Sequence, residues 1–308
     1  MSRLFIRRAF IFSGIFLLSY CFSLLLIGRN MNLSFGSQFY YPEGGAGHSQ
    51  LRFQDAASQK EVDLLFIGSS HAYRNYDTRI FDKSQLRSFN LGSTAQTPIQ
   101  TLQILQSLGE HLSPKYLIID FFLPLFYNEG IESSIDLLAN TNFYPMRWEE
   151  HGDMKWYNAV LFRSLSKNIL HLKSKTCSEN IGSDRYIRGG YVESHQNFNS
   201  KHEMPKPSGH LNTKQIQAFA QIIQWANDRD IKWIIVQSPI LELTHTETYK
   251  TLPKDIQSLF PEKKFINGQL AIQPQSKFFI DTDHRNPSGG KTFNTWLLDT
   301  LNRNAFFD

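Results

Sequence analysis

The sequence predicts an α/β domain, a three-layer sandwich around a central parallel sheet of about five strands, standing behind an N-terminal transmembrane helix. Three observations predict it. Short apolar runs alternate with stretches of helical periodicity, the runs end at Gly, Asp or Ser-Pro, and a long uncharged segment precedes them all.

The leading segment comes first. From Ala9 to Gly28 the chain reads AFIFSGIFLLSYCFSLLLIG without a charge. At about 1.5 Å per helical residue that length crosses a hydrocarbon core of about 30 Å. Arg3, Arg7 and Arg8 precede it and Arg29 is the one nearby cation after it, so the positive-inside bias keeps the N-terminus in the cytoplasm and sends the remainder outward. A cleaved signal peptide is the rival reading. Its apolar region is usually about 7–15 residues, and no clear small-x-small site follows here, so the segment reads as an uncleaved single-pass anchor of the cell membrane, residues 1–28. Residues 29–60, with Pro42, Gly44, Gly45 and Gly47 among polar neighbours, read as a linker without regular structure.

From residue 61 to 308 the pattern is that of one domain. Five runs read as strands: Asp63 to Ile67, Arg87 to Leu91, Tyr116 to Ile119, Lys232 to Val236 and Phe278 to Ile280. Three stretches between and after them read as helices: Thr97 to Leu112, Asn212 to Asp228 and Pro287 to Leu301. Leu102, Leu105 and Leu108 line one face of the first, and Ile216, Phe219, Ile223 and Ala226 one face of the second. Strands apolar on both faces and separated by helices belong to a parallel sheet covered on both sides, whose functional groups collect at the strands' carboxyl ends. The stretch 122–211 is too long for an ordinary crossover and reads as an insertion, with a helix over 153–172 and a polar, Gly- and Pro-containing second half.

Composition removes several function classes. The chain has 308 residues, 41% hydrophobic, and a net charge of +4 whose 32 basic residues are spread along it, so nothing argues for nucleic-acid binding. Two cysteines, one inside the apolar segment, make neither a disulfide framework nor CxxC zinc spacing. No cofactor motif or metal site is read. His195, His202 and His210 have no ligand spacing and read as solvated loop residues. Trp148, Trp156 and Tyr157 read as core before sugar or acyl contacts.

The strand ends carry the chemistry. Gly68-Ser69-Ser70-His71 follows the first run, and Asp281-Thr282-Asp283-His284-Arg285-Asn286 follows the last. A nucleophilic serine needs a base to take its proton, and the base needs a carboxylate to hold its tautomer and support its positive charge. Ser70, His284 and Asp281 fit those parts. Asp281 is preferred to Asp283 because adjacent side chains diverge, whereas a three-residue spacing lets a tight turn bring carboxylate and imidazole together. Asn286 and Pro287 then suit the cap and first position of the last helix. Ser69 reads as a turn-shaping residue, and His71 as a residue that reaches the substrate pocket or supports the turn.

In these blocks the chain resembles the SGNH/GDSL hydrolase superfamily. Gly68-Ser69-Ser70 stands at the place of its first block, Gly92 in Phe89-Asn90-Leu91-Gly92 at its second, and Asp281-x-x-His284 at its last. The form Gly-Ser-Ser-His followed by Asp-x-x-His-x-Asn is similar to a membrane-anchored branch of that superfamily, whose members work with cell-envelope acylation systems. The resemblance implies a flavodoxin-like sheet, Ser70 as nucleophile, His284 and Asp281 as its partners, and an oxyanion hole from the Ser70 and Gly92 amides. It departs at the third block, where a Gly-x-Asn is replaced by Asp120-Phe121-Phe122 and the next asparagine is Asn128. The expectation is a serine esterase or O-acyltransferase acting on envelope glycan or lipid acyl esters outside the cytoplasm. The alternative is a non-catalytic accessory protein that binds a membrane-bound acyltransferase or a glycan.

Overall fold

The computed structural model describes residues 3–29, 46–141, 177–199, 209–241 and 252–308. Helix α1, Arg3–Arg29, carries no charge between Arg8 and Arg29, and from Leu4 to Phe22 its large apolar side chains are exposed. It is long and apolar enough to cross a membrane.

The domain is built on five parallel strands: β1 Leu64–Ile67, β2 Ser88–Asn90, β3 Tyr116–Asp120, β7 Lys232–Gln237 and β8 Phe265–Asn267. Their spatial order is β2-β1-β3-β7-β8. Read in sheet order this is the doubly wound 2-1-3-4-5 arrangement, with its switch point between β1 and β3. Strand β1 shows why the sheet is covered twice. Leu65 and Ile67 point to one face, and Leu64 and Phe66 to the other, all four fully buried. The first face packs on α2 (Ser49–Ser58), α5 (Pro98–Ile104, continuing to Leu112) and α7 (Thr213–Asn227) through Phe53, Leu105, Phe219 and Ile222. Helix α6, Ile131–Asn140, adds Leu137 and Leu138 to that layer. The second face packs on α3 (Ser70–Asn75), α4 (Thr78–Asp82) and α8 (Pro287–Arg303) through Ala72, Tyr76, Phe81, Phe293 and Leu297.

Three expectations change. In the run Phe278 to Ile280 the last two residues are buried and Phe278 is half-buried, but the run is not a sheet strand. It forms a 3-10 turn and one isolated bridge, Phe279 to Arg285, because its backbone bonds locally and to Asn199. The fifth strand is β8, whose two apolar residues between Lys264 and Gly268 make it a half-buried edge strand with little hydrophobic signal. The linker read over 29–60 is regular from Ala46 onward. A 3-10 turn at Ala46–His48 leads into α2, which is wedged against the domain by Phe53, Ala56 and the wholly buried Arg52. Arg52 donates to the Gly190 and Gly47 carbonyls and lies over the Tyr73 ring, so polar composition there marks internal hydrogen bonding instead of solvent.

The insertion also gains order. Its polar half holds a three-stranded antiparallel sheet, β4 Asn180–Ile181, β5 Asp184–Ile187 and β6 Tyr191–Ser194, reversing at Gly182 and at Gly189-Gly190. The Gly189 carbonyl accepts the Asn90 N–H and so covers the otherwise open edge of β2. The helix read over 153–172, with Trp148, Trp156, Tyr157 and His202, lies outside the described residues.

Phe66 stands where strand and helices meet, with ring centroids 5.1 Å from Tyr76 and 4.9 Å from Phe81. Phe66→Ala is expected to cost about 3–5 kcal/mol, read as a lowered denaturation midpoint with an unchanged m-value.

Candidate active site

The turn that bears Ser70 begins where β1 ends. Gly68 has φ 146°, and a Cβ there would lie 2.8 Å from the Asp120 Cβ, so a side chain is excluded by conformation and by space. Ser69 caps α3, its Oγ accepting the His71 N–H at 3.2 Å. The cap is therefore Ser69, which leaves Ser70 at the first helical position with its hydroxyl directed outward.

His284 arrives on the loop between the Phe279 bridge and α8. Its Nε2 lies 2.8 Å from Ser70 Oγ, and its Nδ1 lies 2.9 Å from Asp281 Oδ2. Asp281 Oδ1 also accepts the main-chain N–H groups of Asp283 and His284, at 3.1 and 2.7 Å, which closes the loop into a tight turn around the carboxylate. Asn286 accepts the Gly289 N–H at 2.9 Å with Pro287 at the first helical position, so the loop's exit is capped as the sequence predicts. Ser70, His284 and Asp281 thus stand in one hydrogen-bonded line, although Ser70 and His284 are 214 residues apart.

Two other expectations meet a different geometry. Gly92 lies hard against the turn, and a Cβ on it would come within 2.6 Å of the Ser69 carbonyl oxygen and 2.7 Å of the Ala72 Cβ. Its N–H, however, donates to Asn90 Oδ1 at 3.0 Å. Gly92 is needed for close approach, and its amide is occupied by an Asx turn instead of open to an oxyanion. The Ser70 N–H, in the first turn of α3, has no acceptor within its own helix. His71, read as substrate-binding, is 1% exposed and bonds through Nε2 to Asp283 Oδ2 at 3.0 Å. Its ring stacks on Phe122 at 3.8 Å, which puts it behind the Ser70–His284 line and out of a substrate's reach. Asn128, the next asparagine after the third block, accepts the Gly130 N–H on its Oδ1.

The sequence reading missed the polar layer beneath the site. Asn75 Oδ1 accepts the Arg285 N–H at 3.1 Å and Asn75 Nδ2 donates to Ser238 Oγ at 2.9 Å, while Asn294 donates to the Asn75 carbonyl. Arg285 is buried against the Phe279 and Phe293 rings, and burial lowers its pKa to about 10. Asp120, at the end of β3, accepts from Tyr76 Oη at 2.8 Å. Burial raises its pKa to about 6 against the opposing pull of His71 and of the Tyr76 and Ser238 hydroxyls. A strand ending in a carboxylate was the only sequence signal for this layer. His71, Asp283 and His284 also bring metal-ligating atoms within 4.8 Å of one another. Here those atoms face each other through hydrogen bonds, at 3.0 Å between His71 and Asp283.

Comparison with solved structures finds two similar chains among others. One is a putative acylhydrolase from Bacteroides fragilis, 14% identical over 83% of this chain and 95% of that one, with a TM-score of 0.39. The other is a GDSL-like lipase from Bacteroides thetaiotaomicron, 13% identical over 83% and 98%, with a TM-score of 0.38. No family model and no curated protein matches the chain. The strand order itself places the chain in the doubly wound, flavodoxin-like α/β class that the sequence predicts.

Asp120 generates a pH prediction. Its folded pKa, raised to about 6, lies above the unfolded value, so its contribution to stability is complete below about pH 4 and is lost as pH rises through 6. Asp120→Asn is expected to leave thermal stability unchanged at pH 4 and to raise it at pH 8, by on the order of 2–3 kcal/mol, in melts across that range.

Proposed function

We propose that this protein is a serine-dependent ester hydrolase or O-acyltransferase held at the outer face of a membrane. The observation that carries the reading is the line from Ser70 through His284 to Asp281, at 2.8 and 2.9 Å, on the carboxyl-end loops of a doubly wound sheet. In the first step Ser70 Oγ forms a bond to the acyl carbonyl carbon, its proton passes to His284 Nε2, and the carbonyl π pair moves onto oxygen beside the Ser70 amide. Asp281 holds the Nδ1 proton and supports the imidazolium. Collapse then expels the alcohol, which takes the proton from His284, and leaves an acyl-serine. Water completes a hydrolysis, whereas a sugar or polyol hydroxyl completes a transfer. The helix at residues 9–28 supports envelope glycan or lipid acyl esters as substrates, because it would tether the domain where those esters are assembled.

A second reading has its own observation. The Gly92 amide is occupied and the Gly-x-Asn block is absent, so the oxyanion donors expected for the fold are reduced. Losing one such donor costs about 2.7–4 kcal/mol of transition-state stabilisation. A non-catalytic accessory protein, binding a membrane-bound acyltransferase or a glycan, tolerates that loss without cost.

A fluorophosphonate probe separates the two. The enzyme reading expects the wild-type protein to label and to turn over short acyl esters, and Ser70→Ala to abolish both while keeping its melting temperature within a few degrees, since one cap-region hydroxyl is worth at most about 2 kcal/mol. Absence of labelling in the wild-type protein, with envelope modification intact in cells carrying Ser70→Ala, gives the second reading its place.

The membrane assignment has a separate check. A reporter active only in the cytoplasm, fused after Asp308, is expected to be silent, and a reporter active only outside is expected to work. Activity of the cytoplasmic reporter contradicts the orientation.

A further inference from the structure

His284 faces carboxylates from two residues. Besides Asp281 Oδ2 at 2.9 Å, its Nδ1 has Asp283 Oδ1 at 3.4 Å. Asp283 is 4% exposed and its other oxygen, Oδ2, is gripped by His71 Nε2 at 3.0 Å. His71 in turn is fixed by the Phe122 stack on one side and meets the His284 ring edge-on at 5.4 Å. It sits one residue after the nucleophile, so α3 carries both Ser70 and the residue that grips Asp283.

A buried His–Asp pair is an expensive way to fill a core, since desolvation offsets most of the attraction and an apolar pair of similar volume is often at least as stabilising. The arrangement gains meaning from the other Asp283 oxygen, Oδ1, which accepts from Thr282 Oγ1 at 3.5 Å and faces His284 Nδ1 at 3.4 Å. We propose that Asp283 is a second carboxylate for His284, held in position by His71, and that it keeps the imidazole in its working tautomer when Asp281 is lost. The inference rests on the reading of Ser70 as nucleophile, with Asp283 touching the base and His71 a positioning residue acting through Asp283. The proton inventory agrees with the placement. When His284 takes the Ser70 proton, the new imidazolium lies between two carboxylates, and His71 balances the one that Asp281's turn does not enclose. Burial opposes a charged His71, but the hydrogen bond and charge of Asp283, with the charges of Asp120 and Asp281, raise its pKa.

The test uses the full chain in detergent with p-nitrophenyl acetate, and the downfield proton resonance of the His284 ring N–H as a readout free of turnover. Where a triad carboxylate has no substitute, its replacement by Asn costs about 10⁴-fold in kcat. Here Asp281→Asn is expected to cost about 100-fold with KM within about twofold, and to keep the downfield resonance. Adding Asp283→Asn is expected to take kcat down to the full loss of about 10⁴-fold and to remove the resonance. His71→Leu should reproduce Asp283→Asn, add less than about twofold in that background, and be rescued by His71→Gln, whose amide nitrogen reaches the place of Nε2. The proposal is overturned if Asp281→Asn alone loses both the full rate and the resonance. It is equally overturned if the His71 and Asp283 effects multiply, or if the His71 variants move KM instead of kcat. Should His71→Leu melt early, the comparison of Asp281→Asn with the double variant still decides. A wild-type protein that shows the resonance but neither labels nor turns over overturns the nucleophile reading, and the resonance in Asp281→Asn then decides the placement of Asp283 alone.

Discussion

The hydrogen bond from the Arg285 N–H to Asn75 Oδ1 is the constraint on which the site depends. Ser70 begins helix α3 and Asn75 ends it; His284 precedes Arg285 in the loop that leads to α8. A bond between the far end of one and the near side of the other ties α3 to the loop that carries His284. The Asn75 side chain and backbone also hold Ser238, beyond β7, and Asn294, within α8. Asn75, through its side chain and its carbonyl together, thereby joins α3, a strand end and the last helix.

The sheet supplies the rest of the rigidity. Alternation along β1 sends Leu64 and Phe66 to the layer that contains α3 and α8, so the elements bearing Ser70 and His284 share one hydrophobic layer. The opposite layer, with α2, α5, α6 and α7, carries no member of the hydrogen-bonded line. The two faces divide the labour between chemistry and bulk burial.

What was legible in the sequence follows from how locally each feature is encoded. Strands β1, β2, β3 and β7 and the three long helices announce themselves by periodicity, and Ser70, His284 and Asp281 by their position after apolar runs. Strand β8 was missed because a half-buried edge needs only Phe265 and Ile266, and Phe278 to Ile280 was misread because burial alone does not make a ladder. The Gly92 amide escaped because its acceptor is the side chain of Asn90, two residues earlier, and no spacing rule says where an asparagine side chain turns. His71 and Asp283 escaped for a related reason. Each lies beside a residue of the line, and which of two adjacent side chains turns inward is set by the tertiary pairing of segments 212 residues apart.

Helix α2 belongs to the folded body although it precedes the first strand. Phe53 and Ala56 complete the core beneath β1, and Arg52 bridges Gly47 to the hairpin that guards the sheet edge at β2. Sixteen residues separate the end of α1 at Arg29 from Ala46, which at about 3.5 Å each gives the body a leash no longer than about 60 Å. A protease that cuts before Ala46 would set free a body with its core intact. One that cuts between α2 and β1 would leave the wedge as a separate fragment, kept by non-covalent packing alone, so release of the body from α1 and loss of its wedge are decided within a stretch of about thirty residues.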